Sequence, residues 1–136
     1  MKIAIVYWSG TGNTEEMANL VAKGVTENGN TADLLTCDKF NAGLVTEYDA
    51  FAFGCPSMGA EELEDDEFLP MWNDVKGALA NKNIVLFGSY GWGEGEWMQS
   101  WKEDCANINV LGDFIYCGSV DADASTACIE LGKLLK

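Results

Sequence analysis

Three loops of this sequence carry side chains that could bind a ligand. The first, residues 9–14, reads SGTGNT and lies between an apolar run and an amphipathic segment. It offers hydroxyl and amide groups, two glycines and no charged side chain. Backbone amides at a helix N-terminus bind anions, and glycines let the backbone fold closely around one. The loop therefore predicts a monophosphate site, with a plain capped turn as the alternative. It matches neither the dinucleotide nor the P-loop glycine pattern.

The other two loops place sulfur and aromatic side chains among glycines. Residues 55–62 read CPSMGAEE, and residues 89–97 read SYGWGEGEW. No helical period places Tyr90 or Trp92 in a core, and exposed aromatic rings on a glycine loop suit a flat ligand. A surface loop pinned by one buried aromatic residue is the alternative. With Met58 as a polarizable contact, the three loops together predict a planar heterocycle with one phosphate, flavin mononucleotide (FMN).

The composition excludes several classes of function. The chain has 136 residues, enough for a single domain over residues 1–136, and a net charge of −14. Its eight basic residues are all lysines, with no arginine or histidine. We therefore expect no nucleic-acid binding and no binding to anionic membranes, because both need a basic face. Histidine-based nucleophile pairs, histidine-ligated zinc and arginine clamps on phosphate are excluded as well. No catalytic and no metal-binding residue is predicted.

The cysteines and the N-terminus indicate a cytoplasmic protein. Five cysteines are widely spaced without a CxxC pair: Cys37, Cys55, Cys105, Cys117 and Cys128. They are interpreted as buried, reduced residues rather than a disulfide framework. The apolar run at the N-terminus is too short for a signal peptide, and no stretch approaches the roughly 20 apolar residues that cross a bilayer.

Hydrophobic periodicity predicts strands that alternate with helices. Strands are expected at 3–8, 31–36, 49–54, 83–88 and 113–117. Helices are expected from 13 to about 28, around 68–79, around 97–108 and at the C-terminus, with one helical turn near Leu44. This alternation predicts a three-layer α/β/α sandwich with a five-stranded parallel sheet in the flavodoxin-like order 2-1-3-4-5. Ligands then lie beyond the carboxyl ends of strands 1, 3 and 4, and Asp121 and Asp123 fall at the same edge.

The motifs also resemble one family. YWSGTGNT at 7–14, the Met58-Gly59 pair and FGSYGWG at 87–93 resemble the short-chain flavodoxins of anaerobic bacteria, and the resemblance covers essentially the whole chain. It implies that the first loop binds the FMN phosphate through Ser9, Gly10, Thr11, Gly12, Asn13 and Thr14. It also implies that Met58 and Trp92 flank the two faces of the flavin ring and that Glu61 bonds flavin N3.

The same resemblance implies a moving peptide. The peptide link between Met58 and Gly59 turns over on reduction, so that its carbonyl accepts a hydrogen bond from flavin N5–H. The remaining predicted cofactor-binding residues belong to the second and third loops: Pro56, Ser57, Ala60, Ser89, Tyr90, Gly91 and Gly93. Pro56 and Ala60 stand where some relatives carry a serine and an aspartate, which predicts a change in FMN affinity or potential.

The expected function is a low-potential one-electron carrier, which shuttles mainly between the semiquinone and hydroquinone of FMN and donates electrons to redox enzymes. Its acids oppose formation of the anionic hydroquinone. The acidic run at 61–67 is interpreted as a solvated helix entrance at 64–67, or as a rim that steers basic patches of transient partner proteins. A carrier that docks by its cofactor edge is expected to be a monomer.

Other functions of this fold class fit the sequence less well. A small FMN-dependent NAD(P)H oxidoreductase is the main alternative, and it would need a basic pocket for the dinucleotide phosphates. A phosphotransfer receiver domain needs an aspartate at the end of the third strand, where this chain has Phe53, Gly54 and Cys55. A small tyrosine phosphatase needs an arginine. A binding domain without a cofactor is the remaining alternative.

Overall fold

Five parallel strands form one sheet in the computed structural model, which describes residues 1–8, 10, 12–57, 63–91 and 95–135. The strands are β1 (Lys2–Tyr7), β2 (Thr31–Thr36), β3 (Ala50–Gly54), β4 (Asn83–Tyr90) and β5 (Asn109–Cys117). Their order across the sheet is β2-β1-β3-β4-β5, and every adjacent pair is parallel. The predicted strand order is therefore confirmed.

Helices connect and cover these strands. In the described part of the chain the α-helices are α1 (Asn13–Glu27), α2 (Phe68–Val75), α3 (Glu96–Glu103) and α4 (Ala122–Lys133). Short 3₁₀ segments occupy Cys37–Lys39, Ala42–Glu47 and Lys76–Leu79, so the helical turn predicted near Leu44 is a 3₁₀ segment. Pro70 lies in the first turn of α2, where its missing N–H removes no intrahelical hydrogen bond.

Several element boundaries differ from the predicted ones, among them those of α3 and β5. Helix α3 ends at Glu103, before the end of the apolar pattern, and the chain continues in turns: the Cys105 N–H bonds the Lys102 carbonyl and the Ile108 N–H bonds the Cys105 carbonyl. Strand β5 begins at Asn109 rather than at 113. Because β5 is an edge strand, its residues alternate between exposed and half-buried and do not form the continuous apolar run of a central strand.

The strands bury side chains on both faces of the sheet, which gives two cores. On one face, β1, β3 and β4 pack against α2 and α3 through aromatic residues such as Phe53, Trp72 and Trp101. On the other face, Ile5 and Val85 pack with the apolar sides of α1 and α4. The predicted three-layer arrangement is confirmed.

The cysteines follow the prediction with one exception. All five are free thiols, and four of them are buried. Cys117 is exposed at the end of the edge strand β5, so the prediction that it is a core residue is wrong.

Among the helices that the structure describes, none combines the length and the apolar character needed to cross a membrane.

Candidate functional site

A cleft opens at the carboxyl edge of the sheet, where β1, β3, β4 and β5 end. Its volume is about 460 Å³, and its described lining consists of Trp8, Gly10, Asn13, Pro56, Ser57, Ser89, Tyr90, Gly91 and Gly118. Seven of these nine were predicted as binding residues, and none of the nine carries a charge. Small-molecule sites have volumes of about 300–1,000 Å³, so the cleft can hold a ligand of that class.

The first wall of the cleft is the passage from β1 into α1. The Trp8 N–H donates to the Gly54 carbonyl at 3.0 Å, which fixes the start of the first loop against β3. Gly12 is the N-cap of α1 and has a φ of 98°, a left-handed conformation that favours glycine. Among the described residues no side chain caps this helix. Asn13, the first residue of α1, lines the cleft, so the N-terminus of this helix lies at its wall, where an anion site is expected.

A buried hydrogen bond joins the first loop to β4. The Thr14 and Ser89 hydroxyls are 3.0 Å apart, and the two residues are 1 % and 5 % exposed. Ser89 lines the cleft, whereas Thr14 does not belong to its described lining. Thr14 thus lies against a cleft residue, and its predicted contact with a phosphate stays a prediction.

The second wall comes from the end of β3. The pairing of β3 with β4 continues past Gly54, because the Cys55 N–H bonds the Phe87 carbonyl at 3.1 Å and the Ser57 N–H bonds the Ser89 carbonyl at 3.0 Å. Pro56 lies between these two donors. It has no N–H, and the pairing with β4 needs no donor at this position. The residues that line this wall are therefore held by sheet hydrogen bonds.

The third wall is formed by the end of β4, which is longer than predicted. Ser89 and Tyr90 are its last two residues and do not belong to a loop. The Tyr90 ring is half-buried and tilted against the Trp97 ring, with centroids 5.6 Å apart. Tyr90 is therefore pinned by a core tryptophan while it lines the cleft. Gly91 follows it, and a Cβ there would meet no atom of the described residues within 4 Å.

Sequence reasoning missed two residues of the cleft. Trp8 was assigned to the first strand, but it lies beyond β1, and its indole lines the cleft and a second cavity of about 260 Å³. Its Nε1–H donates to Glu67 Oε1 at 3.3 Å, which orients the ring. Gly118 follows β5 and donates its N–H to the Tyr90 carbonyl at 3.0 Å. The sequence could have indicated Gly118, because it is a glycine directly after the fifth predicted strand, at the edge of the sheet where the ligand was expected.

Glu64 corrects the interpretation of the acidic run as a solvated helix entrance. Its side chain is buried, and its carboxylate accepts the backbone N–H groups of Asp66, Glu67 and Phe68 at 2.8 to 2.9 Å. Burial alone raises the pKa of this carboxyl, but the three hydrogen bonds together outweigh it and hold the pKa below its ordinary value. Glu64 thus stabilises the start of α2, while Asp65, Asp66 and Glu67 are exposed as expected.

Of the two aspartates after β5, Asp121 has a structural role. Asp121 is the N-cap of α4, where its side chain accepts the Ala124 N–H at 2.9 Å. It also accepts the Tyr116 hydroxyl, and this hydrogen bond raises the pKa of Tyr116 and lowers that of Asp121. Neither Asp121 nor Asp123 belongs to the described lining of the cleft.

Part of the predicted site lies outside the described residues. These positions are Ser9, Thr11, Met58, Gly59, Ala60, Glu61, Trp92 and Gly93. Each belongs to a segment whose described neighbours border the cleft, since Gly10, Ser57 and Gly91 all line it. Their assigned contacts remain predictions.

The chain matches the family model described as Flavodoxin over residues 5–131. It is 39% identical over 131 residues to a flavodoxin of Clostridium beijerinckii, with 95% of both chains covered. It is 41% identical over 133 residues to a flavodoxin of Megasphaera elsdenii, with 96% of both chains covered. The solution structure of two-electron reduced Megasphaera elsdenii flavodoxin superimposes with a TM-score of 0.89 at 41% identity, covering 97% of this chain and 96% of that one.

Proposed function

Because the chain belongs to the flavodoxin family, it is an FMN-binding electron carrier, and we propose that it delivers single electrons at low potential to redox enzymes. The observation that carries this proposal is the uncharged cleft at the carboxyl edge of the sheet, bordered by a helix N-terminus and by aromatic side chains. When bound, FMN takes up and releases electrons one at a time, and the protein supplies its position and its field.

The residues at the α1 end of the cleft fit the phosphate of FMN. Gly10 is exposed, and a Cβ there would lie 3.0 Å from the Trp8 ring, so the loop backbone packs directly on the indole. The N-terminus of α1 supplies amide donors and the positive end of the helix dipole. No lysine belongs to the described cleft lining, and we propose that Ser9, Thr11 and Asn13 complete a neutral cradle that leaves the phosphate charge uncompensated.

The other end of the cleft fits a flat ring. Pro56, Tyr90 and Gly91 offer apolar surface and open backbone there. We propose that Met58 and Trp92, which continue these two walls along the chain, cover the two faces of the ring. The turning peptide of Met58 and Gly59 and the Glu61 contact with the ring edge are part of the same proposal.

The charge of the protein supports a low potential. With a net charge of −14, most acids have no cation to neutralise them. One negative charge about 10 Å from the ring, at an effective dielectric constant of ~20, opposes an added electron by about 1.7 kcal/mol, or roughly 70 mV for a one-electron couple. Several such charges lower the potential of a step that leaves a net negative charge on the ring, whereas a step in which a proton enters with the electron is not opposed in this way.

The excess of acidic residues also supports a role as a mobile carrier. We propose that the chain acts as a monomeric single domain over residues 1–136, docks transiently on basic patches of its partners, and binds neither nucleic acid nor a membrane surface. The five free cysteines support a reducing, cytoplasmic location. A nicotinamide-dependent reductase would need cations beside the flavin, and the described cleft lining offers none.

Titration of the cofactor-free protein with FMN and with riboflavin tests this proposal. We expect one FMN per chain and a much weaker affinity for riboflavin, because riboflavin lacks the phosphate. Bound FMN should also remain oxidised when NADH or NADPH is added without a reductase. Equal affinities for the two flavins would contradict the phosphate site, and direct reduction by the nicotinamides would favour an enzyme.

A further inference from the structure

The Trp8 indole contacts two parts of the chain that are far apart in sequence. Its benzene end faces Gly10, because a Cβ on Gly10 would lie 3.0 Å from Cη2 and 3.3 Å from Cζ3. Its pyrrole end faces Glu67, since Nε1–H donates to Oε1 at 3.3 Å. Trp8 and Glu67 are 59 positions apart, so this contact depends on the fold. The ring therefore lies between the backbone of the first loop and the segment that leads into α2.

The backbone on both sides of Gly10 is anchored by hydrogen bonds. The Trp8 N–H donates to the Gly54 carbonyl at 3.0 Å. The Gly12 carbonyl accepts the Glu16 N–H at 3.0 Å. Gly10 lies between these positions, and its exposed backbone packs on the indole. The position of Gly10 at the cleft therefore depends on where the indole lies.

Glu67 has a fixed backbone from which to orient the indole. Its N–H donates to Glu64 Oε1 at 2.8 Å, and its carbonyl accepts the Met71 N–H at 3.4 Å. The side chain of Glu67 does not cap α2, because the carboxylate of Glu64 accepts the N–H groups there. The Glu67 carboxylate can therefore be removed without uncapping the helix.

The indole separates two cavities. Trp8 and Gly10 line the cleft, whereas Trp8 and Glu67 line the neighbouring cavity of about 260 Å³. Without its bond to Glu67, the ring has room to turn toward that second cavity, and the backbone at Gly10 then loses its support.

We propose that Glu67 is a positioning residue of the FMN phosphate site, which fixes the Trp8 indole so that the indole supports the backbone at Gly10. The inference rests on the proposed function, because Gly10 belongs to the loop proposed for the phosphate. Glu67 acts through Trp8, since it does not belong to the described lining of the cleft.

Three variants separate the hydrogen bond from the charge. Glu67→Ala removes both. Glu67→Gln removes the charge but keeps an oxygen that can accept the indole N–H. Asp38→Asn removes the same charge from another acid of the 260 Å³ cavity and leaves the bond of Trp8 to Glu67 in place, so it is the matched control. Both positions are exposed, so we expect all three variants to fold.

Charge and position predict opposite changes in FMN affinity. Loss of a negative charge reduces repulsion of the phosphate, so charge alone predicts tighter binding for all three variants. Loss of position predicts weaker binding for Glu67→Ala alone.

Titrations with FMN and with riboflavin distinguish the two effects. We expect Glu67→Ala to bind FMN at least threefold more weakly than Asp38→Asn does, and Glu67→Gln to match Asp38→Asn within twofold. Riboflavin, which has no phosphate, should bind Glu67→Ala and Asp38→Asn equally. Equal FMN affinities of Glu67→Ala and the control, an equal loss with riboflavin, or failure of glutamine to restore the affinity would each overturn the positioning role.

A measurement on the cofactor-free protein separates this inference from the proposed function. Nitrogen-15 relaxation gives the order parameters of the Gly10 amide and of the Trp8 indole N–H. We expect both to fall in Glu67→Ala and to keep their natural values in Glu67→Gln and Asp38→Asn. Unchanged values in Glu67→Ala overturn the proposal whether or not flavin binds. A natural protein that takes up no FMN contradicts the proposed function instead, and the relaxation data then still decide whether Glu67 positions Gly10.

Discussion

Two hydroxyl groups that are far apart in the chain meet at the cleft. Thr14 and Ser89 are 75 positions apart, and their oxygens form a buried hydrogen bond of 3.0 Å. The bond ties the first turn of α1 to the end of β4. It therefore connects the helix N-terminus where we propose that the FMN phosphate binds to the strand end where we propose that the flavin ring binds. Because both hydroxyls are buried, removal of one leaves the other without a hydrogen-bond partner, since no water molecule takes its place.

A double-mutant cycle on this pair measures the connection. We expect Ser89→Ala and Thr14→Val each to lower the free energy of unfolding by about 1–3 kcal/mol, since each leaves a buried hydroxyl unpaired. The double variant should cost clearly less than the sum of the two, because no unpaired group remains. Urea unfolding of the cofactor-free protein gives the three values, and strictly additive losses would argue against a direct bond.

Single residues show where sequence reasoning succeeds and where it stops. Gly10 and Asn13, which the sequence analysis selected because uncharged polar residues and glycines are unusual between a strand and a helix, line the cleft. Trp8 and Glu64 were misread because of what their side chains bond: the Trp8 indole donates to Glu67, and the Glu64 carboxylate accepts the N–H groups at the start of α2. A run of acids looks uniform in sequence, and only the fold distinguishes the buried member from its exposed neighbours.

At the scale of elements, the start of α2 depends on a charged side chain. Helix α2 has eight residues, and no side chain at its N-cap position, Glu67, caps it. Glu64 supplies the missing acceptor from three residues upstream, and its pKa is lowered because the folded protein favours the ionised form. Stability gained in this way depends on pH.

The sign of this dependence follows from the lowered pKa. The stabilisation by Glu64 is fully present above its ordinary pKa of 4.5 and is lost as the pH falls through the lower folded value. We expect Glu64→Gln to lower the free energy of unfolding by about 2 kcal/mol near neutral pH. The difference from the natural protein should shrink as the pH falls below 4.5, because a protonated Glu64 offers the same donor and acceptor as glutamine. A difference that stays constant over this range would contradict the role of the ionised carboxylate.

Periodicity was sufficient to predict the sheet but not the ends of every element. The central strands β1, β3 and β4 are buried on both faces and appear as apolar runs, so their positions could be read to within about two residues. Their order followed from the alternation of strands with helices. The start of β5 could not, because an edge strand lacks that run. Helix α3 was predicted too long, because Cys105 is buried from a turn beyond the helix and so continues its apolar pattern.

At the scale of the whole molecule, the charged residues at several helix ends match the helix dipoles. Acids occupy the first turns of three helices, at Glu15, Glu16, Glu96 and Asp123. Lysines occupy the last turns of α3 and α4 and the 3₁₀ segment after α2, at Lys102, Lys133 and Lys76. In a parallel α/β sheet, helix N-termini and strand carboxyl ends share an edge. The placement thus complements the dipoles of α3 and α4 at both ends and that of α1 at its N-terminus, and it puts acids at the edge of the sheet that holds the cleft.

This placement of acids predicts salt-dependent encounters with partner proteins. We expect the bimolecular rate of electron transfer from the reduced protein to a basic acceptor protein to fall tenfold or more as salt rises from about 0.01 M to about 1 M, where the Debye length shrinks from ~30 to ~3 Å. An acidic acceptor of similar potential is the control, and its rate should rise with salt. Stopped-flow measurements that show the same weak dependence for both acceptors would contradict steering by the acidic edge.

The account as a whole depends on one property, the transfer of single electrons by FMN held in the cleft. An anaerobic reductive titration of the purified, FMN-loaded protein, followed by its visible spectrum and potential, tests this most directly. The account predicts one FMN per chain and two separate one-electron steps, the second at a much lower potential than the first. A single two-electron step, or a chain that takes up no FMN, would contradict it.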